Sequence, residues 1–162
     1  MEKLEQKDNK YYTPTIEEFH VGFECEMKNS SDEPFEWEPF KIIGVDDGIM
    51  GKNALMDWSF YDTRNAIEDK SIRVKYLDKE DIESLGWENI EDRGMSENYG
   101  YSFQKPIEYF SGGVAYYRLR YWFTTHRVRI EPLGGPIFDG TIKNKSELKV
   151  LLKQLGINGE KR

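Results

Sequence analysis

Between Tyr116 and Phe123 the side chains fall into two alternating sets. Tyr117, Leu119, Tyr121 and Phe123 share one parity, and Tyr116, Arg118, Arg120 and Trp122 share the other. A period of two with one apolar set is the mark of a half-buried β-strand. The next apolar pair, Val128 and Ile130, has the opposite parity, so an unbroken strand would turn both of them to solvent. A turn or bulge at Thr124-Thr125-His126 is therefore required to reset the register. With that reset, Arg127 and Arg129 join Arg118 and Arg120 on one outer face.

This stretch is also a charge island. From Val114 to Ile130 there are four arginines and no acid, in a chain whose net charge is −7. Guanidinium groups present rigid donor forks that match phosphate or carboxylate, and neighbouring rings can stack on a base. Tyr116, Arg118, Arg120, Trp122, His126, Arg127 and Arg129 are thus the candidate ligand-binding residues, for a small anionic ligand or an acidic protein surface. The plainer reading is that the arginines pair with carboxylates across strands and cover the sheet with their stems. The net charge argues against binding to long nucleic acid or an anionic membrane.

The remaining pattern predicts an α+β fold: a mostly antiparallel twisted sheet, an amphipathic C-terminal helix on one face, and one short additional helix. Phe19, Val21, Phe23, Cys25 and Met27 alternate with polar residues, predicting a first strand, and Phe35 and Trp37 open its antiparallel partner. Pro39 places that partner at an edge or ends it. Thr15 and Glu18 have capping-box spacing for a single helical turn. Residues 44–70 read as loops with short strands. Ile72, Val74 and Tyr76 predict another strand, and Asp78 caps a two-turn helix that ends at Gly86, with Trp87 just beyond. Residues 88–98 read as an exposed loop. Tyr99, Tyr101 and Phe103 start a strand that turns at Lys105-Pro106 and returns over Ile107 to Phe110. Ser111-Gly112-Gly113 is a hairpin turn into the arginine-rich strand. Asn144 caps the last helix, whose Leu148, Leu151, Leu152 and Leu155 recur at helical spacing before Gly156. The reading is one domain over 11–158, with a flexible arm at 1–10 and a tail at 159–162.

Aromatic residues make up 14% of the chain, too many for a disordered polymer even with 33% charged residues. One cysteine, Cys25, excludes an internal disulfide framework, and its parity places it in the core as a small hydrophobe. No apolar run is long enough to span a bilayer, and residues 1–10 lack the apolar stretch of a signal peptide, so the chain reads as cytoplasmic. No phosphate-binding glycine loop, nucleophile elbow, CxxC or HExxH motif occurs, and a calcium loop beginning at Asp46 fails at its ligand positions. No cofactor or metal is predicted. An enzymatic alternative uses His20, Glu24 and Glu26, which share one parity of the first strand, with Glu36 and Glu38 on its partner; such a set suits a carboxylate- or metal-dependent hydrolase. A third alternative is a structural component of a virion or complex.

Three stretches carry a resemblance: Tyr12 to Glu24, Val74 to Trp87 and Gly140 to Ile157. In these the chain resembles a family of small proteins encoded by phages and prophages of anaerobic gut bacteria. The stretches cover well under half of the chain, and no activity is established for that family, so no residue role is carried over. The resemblance implies a phage accessory protein in the bacterial cytoplasm, a binder that blocks or captures something. The arginine face makes a host component the expected target, in one form a small nucleotide signal with Trp122 or Tyr116 stacked on its base.

Overall fold

The computed structural model describes residues 10–28, 36–45, 49–52, 59–61, 63–90, 99–108, 114–132 and 134–157. Residues 1–9 of the arm expected at 1–10, the turn at 29–32, residues 91–98 of the loop expected at 88–98, the glycine turn at 111–113 and the tail at 159–162 lie outside them. Within the stretch read as one domain, the chain divides into two compact units, Met1–Tyr76 and Leu77–Arg162. Every strand pairing in both is antiparallel, as the α+β reading requires. The strands expected in one sheet form two.

In the first unit, β1 (Tyr11–Tyr12), β2 (Glu24–Lys28), β3 (Trp37–Val45), β4 (Ile49–Lys52), β5 (Ser59–Tyr61) and β6 (Ile72–Lys75) form a sheet in the order β1-β6-β2-β3-β4-β5. Phe23, Cys25, Met27, Phe40, Ile42, Ile72 and Val74 are buried together with Ala66 of the helix α1 (Thr63–Glu68). That helix replaces part of the loop expected over 44–70. Thr15 and Glu18 do form a capping arrangement around a turn of 3-10 helix, the Glu18 carboxylate accepting from the Thr15 N–H at 3.1 Å.

The first strand starts later than its alternation suggests. Gly22 has φ +90°, a conformation that glycine adopts without strain. A turn there leaves Val21 65% exposed, and regular pairing begins only at Glu24. Pro39 lies inside β3, opposite Glu26, while pairing with β4 begins at Lys41. Among the described residues the strand therefore has a partner on one side only at Pro39, which is where a missing N–H is tolerated.

Across the outer face of this sheet Arg73 lies between two rings, 3.8 Å from the centroid of Tyr11 and 4.1 Å from that of Trp37. It donates to Glu26 through Nε at 2.7 Å, and its Nη2 lies 2.6 Å from the same carboxylate oxygen.

In the second unit, β7 (Glu88–Ile90), β8 (Gly100–Glu108), β9 (Val114–Trp122), β10 (Arg127–Glu131) and β11 (Phe138–Thr141) form a sheet in the order β11-β10-β9-β8-β7. Glu88 to Ile90, expected in a loop, is an edge strand. The turn expected at Lys105-Pro106 is absent: β8 runs through Pro106, which pairs with Tyr116. β7 reaches only Ser102 to Gln104, so among the described residues Pro106, like Pro39, has one flank unpaired.

Two helices complete the unit, α2 (Lys79–Ser84) and α3 (Lys145–Gln154). Asp78 accepts from the Asp81 N–H at 2.9 Å, and Asn144 accepts from the Glu147 N–H at 2.9 Å, each satisfying a donor that a helix start leaves free. Gly86 and Gly156 end these helices with φ +79° and +70°. Leu148, Leu151 and Leu152 of α3 are buried against Phe103, Leu119, Tyr121, Val128 and Ile130. The C-terminal helix thus covers the apolar face of the sheet, as its leucine spacing predicts.

Candidate anion site on the outer face of the second sheet

The parity reset takes the form of a turn between β9 and β10 in which His126 has φ +52°. Its consequence is the expected one. Trp122 faces Arg127, Arg120 faces Arg129, and Arg118 faces Glu131, while Leu119, Tyr121, Val128 and Ile130 turn inward and are at most 1% exposed. Arg118, Arg120, Arg127 and Arg129 therefore share the face opposite α3.

Three of the four are matched by carboxylates that the one-segment charge count does not include. Arg127 donates to Asp139 of β11 through Nε at 2.7 Å and Nη2 at 2.8 Å, a bidentate pair, and its guanidinium lies 5.4 Å from the Trp122 ring centroid. The hydrogen bonds from Arg127 hold the Asp139 carboxyl below its ordinary pKa, and the same bonds push Arg127 up. Arg120 Nη1 lies 2.9 Å from Glu131 Oε1, and Arg129 Nε lies 3.7 Å from Glu131 Oε2. These are ion pairs without hydrogen-bond alignment, since Arg129 Nε and Glu131 Oε1 are buried atoms lacking a hydrogen-bond partner among the described residues.

Arg118 is different. Its row across the sheet runs Glu88, Gln104, Arg118, Glu131. The Gln104 amide donates to Glu88 at 2.9 Å, and Glu131 reaches away toward Arg120 and Arg129. Arg118 is exposed and has no carboxylate partner among the described residues. It lines a groove of about 500 Å³ with Gln104, Tyr116, Arg120, Glu131 and Pro132, a volume within the ordinary range for ligand sites. The groove arises from unequal strand lengths. β10 stops at Glu131, before Pro132, whereas β9 continues down to Val114. The exposed Tyr116 ring and the loop at Gly134 flank it.

Four members of the expected set, Trp122, His126, Arg127 and Arg129, do not line the groove. Trp122 and Arg127 stand at the other end of the strand pair, against each other. His126 leaves the arginine face altogether. Its Nδ1 lies 3.2 Å from the hydroxyl of the inward Tyr121, whose single proton goes to the Leu77 carbonyl at 2.5 Å, so the ring nitrogen is the donor. Burial, with Lys143 nearby, pushes the His126 pKa below its ordinary value. The positive φ swings the ring to the core side, which parity counting cannot reveal.

The alternative set of His20, Glu24 and Glu26 does not assemble as a strand face. His20 precedes the Gly22 turn and lies with Nδ1 3.0 Å from the Glu18 carbonyl and its ring edge-on to Phe23. Glu26 is committed to Arg73. Glu38 pairs with Met27, on the opposite parity from Glu24 and Glu26. Among the described residues no group of three or more His, Cys, Asp or Glu is placed to hold a metal ion. None of their helices is long and apolar enough to cross a membrane.

Sequence patterning missed Gln104, Pro132 and Gly134, which shape the groove. The proline directly after Ile130-Glu131 is the signal available, because it cannot donate to a ladder and so limits the length of β10. Comparison with protein-family models, with curated proteins and with solved structures finds no match for this chain.

Proposed function

We propose that the protein is a non-enzymatic binding protein that captures an anionic host component in the groove beside Arg118. The observation that carries this is selective. Of the four guanidiniums on one face, two line the groove, and one of these, Arg118, has no carboxylate partner among the described residues. An anion there gains a charge-assisted, bidentate contact without displacing an internal ion pair. Tyr116, exposed beside it, offers a flat apolar surface for a ring or stem. The resemblance to phage-encoded proteins supports a setting in the bacterial cytoplasm, where such a binder would act as a host-defence antagonist.

Calorimetry against inorganic phosphate, nucleoside monophosphates, cyclic dinucleotides and acidic peptides tests the reading. Arg118→Ala weakens binding of the responsive anion by about 10- to 100-fold, whereas Arg127→Ala leaves it unchanged. Equal affinity in the Arg118→Ala variant would remove the groove as the site.

A further inference from the structure

The groove is bounded by more than side chains. From Val114 to Tyr117, β9 pairs with β8 on one flank, and no strand among the described residues pairs with it on the other, because β10 ends opposite Arg118. In a strand, every second residue directs both its N–H and its C=O to the same flank. Among the described residues, the wall of the groove formed by Ala115, Tyr116 and Tyr117 is therefore a short ladder without a partner strand, ending at a guanidinium without a carboxylate. A backbone edge of this kind is a template for an added strand.

We propose that the groove takes the C-terminal tail of a partner protein as a short added strand, with its terminal carboxylate on Arg118. This rests on the reading of the groove as an anion site and names the ligand within it. Strand direction follows from the charges. β9 runs from Val114 toward Arg118, and the line beyond Arg118 is already filled by β10 from Glu131. An added strand must stop there. Run parallel to β9, it ends with its carboxylate at Arg118; run antiparallel, it puts its amino terminus against the guanidinium, where like charges repel. The parallel orientation is the one the site favours. The open length is four residues, so the recognised segment is about four residues long, at roughly 3.3 Å per residue.

The test uses the full chain and a display library of five-residue peptides with free C-termini, randomised at every position, read by fluorescence polarisation. The expected result is a binder whose affinity falls about 10- to 100-fold in Arg118→Ala. Binding should fall similarly when the peptide's terminal carboxylate is amidated, and again when alternate peptide nitrogens are methylated. Arg118→Lys, which keeps the charge but loses the fork, should retain part of the binding. In the complex, amide exchange slows at alternate positions among Val114 to Tyr117. A binder that depends on Arg118 but tolerates both amidation and N-methylation overturns strand addition and leaves the anion site standing. The same holds if no peptide binds while phosphate or a nucleotide does. No binding by any of these probes overturns both readings. Concentration-dependent dimers that dissociate in Arg118→Ala would replace the peptide with a second copy.

Discussion

Arg120 and Arg129 face each other directly across the β9–β10 pair, and one carboxylate, Glu131, lies 2.9 Å from the first and 3.7 Å from the second. Like charges opposed in this way destabilise a sheet unless an anion lies between them. All three side chains are only a fifth to a third exposed, so screening by solvent is incomplete. Glu131→Gln should lower unfolding free energy by about 1–2 kcal/mol. It should also tighten anion binding, since the groove lining then loses its own carboxylate charge. Urea denaturation and phosphate titration of the variant check both; unchanged stability would mean that solvent already separates the two cations.

His126 gives the fold a pH dependence of defined sign. Burial, and then the charge of Lys143, depress its pKa in the folded state below the ordinary value. The unfolded chain therefore binds a proton more readily, and stability increases with pH across the interval between the two values. The contribution is complete above about pH 6.5 and is lost as pH falls from there toward the folded pKa. His126→Asn keeps a residue that tolerates positive φ and removes the titration. Between pH 7.5 and 5.5, wild type should lose more stability than this variant. Parallel losses would assign the slope to the carboxylates.

Burial, with a smaller contribution from the neighbouring Glu26 charge, raises the Cys25 pKa to about 12. At pH 8 the thiolate fraction is then negligible. An aromatic disulfide reagent should leave the native protein untouched and consume one equivalent of thiol after unfolding in guanidinium chloride. Rapid native labelling at pH 8 would contradict the packing of β2 against its core.

Leu148 is fully buried beneath the sheet, whereas Val150 on the same helix is 40% exposed. Leu148→Ala should cost about 2–5 kcal/mol, and Val150→Ala about 0.5 kcal/mol or less. Comparable losses at the two positions, measured by urea midpoints, would mean that α3 presents a different face.

Local chemistry was largely legible from residues alone. Asp78 and Asn144 announced their helices, the leucines of α3 announced their buried side, and the parity change between Phe123 and Val128 required the turn that β9 and β10 make. What resisted was non-local. β6 inserts between β1 and β2 across more than forty residues of chain, and alternation reports a strand's faces without naming its neighbours. For the same reason the arginine island looked unopposed. Asp139 belongs to a later strand, and Glu131 sits just past the segment's last isoleucine; only register brings each to its guanidinium. His126 was misplaced because a single positive φ at a turn overrides strand parity.

The stack of Tyr11, Arg73 and Trp37 has a practical corollary. β1 has only two residues, too few for ladder bonds to hold it against fraying. The Arg73 guanidinium on β6, gripped between the tyrosine of β1 and Trp37 of β3, supplies the missing anchorage. An affinity handle fused ahead of Lys10 leaves that clasp closed, but trimming the chain past Tyr11 opens it and strips the border of the first sheet.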